Sequence, residues 1–232
     1  MVNKAIEPTE NEVRRSISNA RTIVVKVGSS SLTAQNGHLD VQKLRSLVDA
    51  ISRAQINGAH VVLVSSGAIA AGFGLLGFDS RPKDVPTQQA TASVGQGLLM
   101  AQYEQAFAKY GLKVGQMLLT ADVTISPSRY RNAQRTMLRL LELGVVPIVN
   151  ENDALSSNEI RFGDNDRLAA LVANIVRADA LVLLTDVDAL YTAPPSEPGA
   201  KRIGFVADVT RASLVAQTRF QLHRQIAHPP RY

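Results

Sequence analysis

Between Thr22 and Asp186 the chain alternates short apolar runs with longer segments of helical period, and this alternation constrains the fold most. Near-continuous Val/Ile/Leu runs read as strands buried on both faces, and parallel strands need a crossover helix between them. The runs are Thr22–Val27, His60–Ser65, Lys113–Leu119, 145–150 and 180–185. Helical patterns fill 40–57, 87–110, 132–143 and 164–178, the first three stopped by Gly58, Gly111 and Gly144. A glycine just past the last periodic residue is a usual helix stop. Together these predict βαβ units and a parallel sheet. Residues 154–162 read as a small hairpin or an irregular loop, and Pro194, Pro195 and Pro198 mark another loop.

Composition narrows the class. With 45% hydrophobic and 19% charged residues in 232, the chain reads as globular rather than disordered. It has no cysteine, which removes disulfides and thiolate metal sites and suits a reducing cytoplasm. The N-terminus lacks a signal-type apolar core, and no apolar run reaches the roughly 20 residues that span a bilayer, so a cytoplasmic protein without membrane contact is expected. The net charge of +5 comes entirely from the end of the chain: residues 201–232 hold six Lys or Arg against Asp208, while residues 1–200 hold 19 of each sign. A basic balance confined there does not argue for a nucleic-acid partner.

In an open α/β sheet, ligands bind beyond the carboxyl ends of the strands. Here those ends carry Gly28–Ser31, Ser65–Gly67, Asn150–Asp153 and Thr185–Asp188. Lys26 sits inside an apolar strand, where an ammonium is costly without an anionic partner. Aimed at a cleft, it can neutralise phosphoryl oxygens; the plain alternative is an edge lysine reaching water. Ser65-Ser66-Gly67-Ala68 reads as a strand-to-helix turn with amide donors, or simply as a tight turn that needs small residues.

The densest cluster is Asn150-Glu151-Asn152-Asp153 followed by Gly163-Asp164-Asn165-Asp166. Helix capping alone explains the second group but not four Asn/Asp/Glu at the preceding strand end. The concentration suits binding of an amino group, hydroxyl-like donors or hydrated Mg²⁺, and a carboxylate there can hold an active-site lysine. Thr185-Asp186 closes the last apolar run and is suited to nucleotide contact, or to an ordinary turn. The string Gly72-Phe73-Gly74-Leu75-Leu76-Gly77 matches G-x-G-x-x-G, but it begins too far beyond its strand to serve a dinucleotide. No P-loop motif is present, and the four histidines show no metal-ligand spacing.

Taken together, 24–29, 64–72, 88–96, 150–153, 163–166 and 184–191 resemble the glutamate 5-kinase branch of the amino-acid-kinase family, in order and spacing. The resemblance implies a three-layer α/β sandwich with a mostly parallel central sheet, the C-terminal strands incomplete. It implies a leader over 1–18, a kinase domain over 19–203 and an atypical basic tail over 204–232. It implies ATP-dependent phosphorylation of the glutamate side-chain carboxylate, the first step of proline biosynthesis, with ATP and Mg²⁺. Lys26 and Asp166 would be catalytic; Ser66, Gly67, Ala68, Asp153 and Asn165 would bind glutamate. Lys26, Thr185 and Asp186 would contact nucleotide, with no protein-held metal. A homo-oligomer and proline as feedback inhibitor are further expectations. The family's Gly-rich nucleotide loop finds no match after residue 203, which implies truncation or a shifted frame. That leaves an inactive fragment binding glutamate or proline as the alternative.

Overall fold

The computed structural model describes residues 9–155 and 165–207. The chain divides into two compact units, residues 19–186 and a second made of 1–18 with 187–232. In the second unit, α1 (Glu10–Ser18) has no buried residue. It is closed at its start by a reciprocal pair: the Glu12 carboxylate accepts from the Thr9 amide at 2.8 Å and Thr9 Oγ1 from the Glu12 amide at 3.4 Å.

The larger unit follows the expected alternation. Its elements run β1 (Thr22–Val27), α2 (Ser29–Leu32), α3 (Val41–Ile56), β2 (His60–Ser65), α4 (Ala68–Gly72) and α5 (Val85–Ala108). Then come β3 (Lys113–Leu119), α6 (Pro127–Glu142), β4 (Val145–Glu151), α7 (Asn165–Val176) and β5 (Ala180–Leu184). The five strands form one sheet in the order β3-β4-β2-β1-β5, every pairing parallel. A short antiparallel pair, β6 (Leu190–Tyr191) with β7 (Arg202–Ile203), lies in the second unit.

Two apolar layers sandwich the sheet, and β2 shows why. Its alternate side chains Val61 and Leu63 pack with Leu44, Val48 and Ile51 of α3 and Leu99 and Phe107 of α5. Val62 and Val64 face the other way, against Met137 of α6 and Leu168 and Val172 of α7. Strand β2 is therefore buried along almost its whole length, as its unbroken apolar run requires. The three-layer α/β expectation holds.

Element ends differ from expectation where capping chemistry was overlooked. Helix α6 begins at Pro127 rather than 132, because Ser126 caps it and proline is tolerated in a first turn. Helix α5 begins at Val85, capped by Asp84, whose carboxylate accepts from the Thr87 amide at 2.9 Å. The glycine-serine stretch after β1 makes one helical turn, α2. Residues 156–164 fall outside the described residues, and with them most of the expected hairpin or loop. So do 208–232.

The first glycine of the G-x-G-x-x-G string has a packing explanation. Gly72 ends α4 against α5, and a Cβ there would meet the Thr91 carbonyl oxygen and, at 2.8 Å, the Gly95 amide nitrogen. A Cβ on Gly95 would collide with the Ala68 carbonyl oxygen. Two glycines let the helices touch backbone to backbone, which seats α4 directly beyond β2.

Candidate functional site

The carboxyl ends of β1, β2 and β4 and the starts of α4 and α7 meet at one edge of the sheet. A cavity of about 650 Å³ opens there, lined in part by Ser66, Gly67, Ala68, Asn150, Asp153 and Asn165. All five residues expected to bind an amino acid therefore share one cavity. Gly67 takes φ +111°, a left-handed conformation that makes the sharp turn from β2 into α4 and that side chains resist.

Side-chain amides tie these elements together. Asn165 Nδ2 donates to Ser66 Oγ at 2.8 Å and to Asn150 Oδ1 at 3.0 Å, joining α7 to the ends of β2 and β4. Asn150 is 4% exposed; its Nδ2 donates to Oε1 of Gln96 on α5 at 3.0 Å, and its Oδ1 accepts from the Glu151 amide at 2.9 Å. Behind Ser66, Ser65 Oγ bonds the Ser66 carbonyl at 3.0 Å and the buried Tyr103 hydroxyl at 2.8 Å. Burial pushes the Tyr103 phenol up, so it stays neutral and serves as a hydrogen-bonding post. Partly formed polar networks are costly in a low dielectric, so a fully bonded one holds its side chains in a single arrangement.

Lys26 and Asp166 do not line that cavity. The Lys26 ammonium pairs with Asp166 Oδ1 at 2.6 Å, the lysine 8% and the carboxylate 45% exposed. Asp166 follows Asn165 on the first turn of α7, so the ion pair sits one residue from the amide network. Lys26 Nζ lies 3.7 Å from where a Cβ on Gly28 would be, and Ser29 and Ser30, next along, line the cavity. The apolar strand thus carries its lysine with an anionic partner, as the cost of burial demands.

Thr185 and Asp186 lie one strand further over. Strand β5 pairs with β1, Val27 against Leu184, and the Gly28 amide donates to the Leu184 carbonyl at 3.3 Å. Thr185 Oγ1 donates to Asp186 Oδ1 at 3.0 Å; both residues are exposed and neither lines the cavity. Sequence reasoning passed over several lining residues, among them Asn36, Phe73, Arg81 and Glu151. Glu151 and Phe73 stood in quoted strings, but neither was assigned to the site, and Asn36 and Arg81 carried no motif, because only the tertiary fold brings them to the cavity.

Among the described residues, no three His, Asp or Glu side chains gather to hold a metal ion. Along the cavity, the charged groups among the described residues are Asp79, Glu151 and Asp153 with one guanidinium, Arg81, a balance that favours a cationic group on the ligand.

A model of the amino acid kinase family matches residues 21–216, most of the chain and all five strands of the sheet. The chain belongs to that family. It is 73% identical over 203 residues to a protein of Bifidobacterium animalis subsp. lactis named glutamate 5-kinase, covering 88% of this chain and 54% of that one. A Thermobifida fusca protein of the same name is 59% identical over 192 residues, 83% of this chain and 50% of its own length. The chain thus spans about half the length of the curated relatives it matches. Among solved structures, the T. acidophilum isopentenyl phosphate kinase product complex aligns with a TM-score of 0.54 at 20% identity, over 77% of this chain and 76% of that one. At that identity it supports the amino-acid-kinase fold alone. Among the described residues, no helix is long and apolar enough to cross a membrane.

Proposed function

We propose that the chain carries the amino-acid site and phosphoryl-transfer lysine of an ATP-dependent glutamate 5-kinase. The observation that carries this reading is one cavity lined by Ser66, Asp153 and Asn165, beside the ion pair of buried Lys26 with Asp166. The names of the 59–73% identical relatives favour glutamate as the amino acid.

In this reading Asp153 and Asn165 receive the α-ammonium, Ser66 offers its hydroxyl to a carboxylate, and Gly67 and Ala68 shape the wall. An ionised side-chain carboxylate oxygen of glutamate attacks the γ-phosphorus of ATP. The bond to the β–γ bridging oxygen breaks, and ADP leaves with the electron pair. No proton has to move at the nucleophile, so rate comes from alignment and from charge neutralisation. Lys26 offsets charge on the transferring oxygens, and Asp166 fixes the lysine's direction. Thr185 and Asp186 contact the nucleotide from the neighbouring strand end. Mg²⁺ would arrive on the nucleotide's phosphates, keeping most of its water; no step here depends on it.

Hydroxylamine trapping tests the reading. With the chain, ATP and L-glutamate, the acyl phosphate is captured as glutamyl hydroxamate, and L-aspartate gives far less. Hydroxamate from aspartate in preference to glutamate contradicts it. Calorimetric binding of glutamate without hydroxamate supports instead an inert binding fragment.

A further inference from the structure

We propose that Gln96 is a positioning residue that holds the amino-acid site's acceptor, Asn165, in place from behind, through Asn150. This rests on the reading above, in which Asn165 and Ser66 bind the amino acid.

The inference starts from an atom whose role is unambiguous. The Glu151 backbone amide can only donate, and it lies 2.9 Å from one terminal atom of the Asn150 side chain. That atom must be the oxygen, so the nitrogen of Asn150 faces Gln96 at 3.0 Å. Gln96 must then present its own oxygen, which turns its amide to one of two faces.

The consequence propagates forward. Asn150 Oδ1 accepts from Asn165 at 3.0 Å, so Asn165 must turn its nitrogen inward. The same nitrogen donates to Ser66 Oγ at 2.8 Å, which uses both of its protons. Asn165 is left with its oxygen as an acceptor for the ligand, and Ser66, having accepted one hydrogen bond, keeps its hydroxyl proton as a donor. An acceptor beside a donor is the polarity that an ammonium and a carboxylate require. Flipping Asn165 reverses it.

Gln96 holds the far end. It is 8% exposed, sits on α5, and lines a neighbouring cavity of about 320 Å³ rather than the one that would hold the amino acid. It therefore acts through Asn150. Without an acceptor at Gln96, the buried Asn150 nitrogen loses its partner; the Glu151 amide still fixes which atom faces it, but the side chain that accepts from Asn165 is no longer held from both ends.

The test is titration calorimetry of the full chain with L-glutamate and with glutarate, which has both carboxylates but no ammonium. The wild-type chain is expected to prefer glutamate. Gln96→Met, of similar volume and without an acceptor, weakens glutamate by about tenfold, the size of one neutral hydrogen bond. Glutarate changes by less than about twofold, so the preference collapses. Gln96→Glu keeps an oxygen in place and retains the preference, which guards against a Met variant that folds poorly. An unchanged glutamate-to-glutarate ratio in Gln96→Met overturns the proposal, whether both affinities hold or both fall together. A wild-type chain that binds neither ligand overturns the amino-acid reading itself, a separate and recognisable result.

Discussion

The two sides of the proposed site are built differently. On the amino-acid side, four side chains from α5, β2, β4 and α7 form an unbroken hydrogen-bonded chain, two of them less than 10% exposed. On the phosphoryl side, the Lys26–Asp166 ion pair, the backbone bond from Gly28 to Leu184 and a bond between adjacent exposed residues are found among the described residues at the ends of β1 and β5. The sheet shows the same contrast: β2 is buried, whereas Leu181 and Leu183 of edge strand β5 are 37% and 46% exposed. A zwitterion of fixed shape is recognised by donors and acceptors held in advance, whereas a phosphoryl group in flight asks mainly for positive charge in the right direction.

Substitutions can break this contrast, and the largest effect is expected at Lys26. Lys26→Met should lower hydroxamate formation by about 10²–10³-fold, the cost of one stabilising donor on a transition-state oxygen. Calorimetric glutamate affinity should stay within about threefold, because half-exposed Asp166 can be solvated once its partner is gone. Equal losses of binding and turnover would erase the distinction between the two sides.

Gly95→Ala attacks the seating of the amino-acid side. Its Cβ would land on the Ala68 carbonyl oxygen, backbone that cannot swing aside, so α4 and α5 must part. A loss of about 3 kcal/mol in urea unfolding is expected, at the upper end for overpacking. Gly97→Ala, two residues on with nothing within 4 Å, is the control and should cost little.

Next in size is Asp153→Asn, which keeps shape and removes charge. Glutamate affinity should fall by about 10–100-fold, as for a charge-assisted hydrogen bond, while glutarate should be unaffected or improved.

The smallest effect lies at the opposite end of the strands. Asp179 accepts from the Arg21 and Thr22 amides at 2.9 and 2.8 Å, and these backbone bonds hold its carboxyl below the ordinary value of 3.8. Depression in the folded state means that its stabilisation is complete above pH 3.8 and drains as pH falls toward the folded value. Asp179→Asn should flatten that acid limb of the thermal midpoint and leave glutamate binding untouched at neutral pH.

Much of this was legible before any coordinates. Apolar runs placed the five strands because a strand covered on both faces has little room for polar residues, and Gly58, Gly111 and Gly144 closed the helices. The Asn/Asp/Glu concentration at 150–153 and the lone lysine in β1 pointed to the sheet edge where the cavity opens. What stayed hidden depends on tertiary distance. Nothing in Gln96 sets it apart from other helix glutamines until α5 is laid behind Asn150. Asn36, Phe73 and Arg81 line the cavity only because connections outside the strands and helices fold back over it. The G-x-G-x-x-G string misleads for the converse reason: helix contact requires Gly72, the His38 ring crowds Gly74 and Gly77 takes φ +73°, so unrelated local needs imitate a phosphate-binding spacing.

A crystal structure of the full chain with L-glutamate tests the central claim most directly. The account predicts the α-ammonium within hydrogen-bond reach of Asp153 and Asn165 Oδ1, with the side-chain carboxylate directed toward Lys26. Glutamate bound elsewhere on the surface, or in the cavity with its side chain turned away from Lys26, would contradict it.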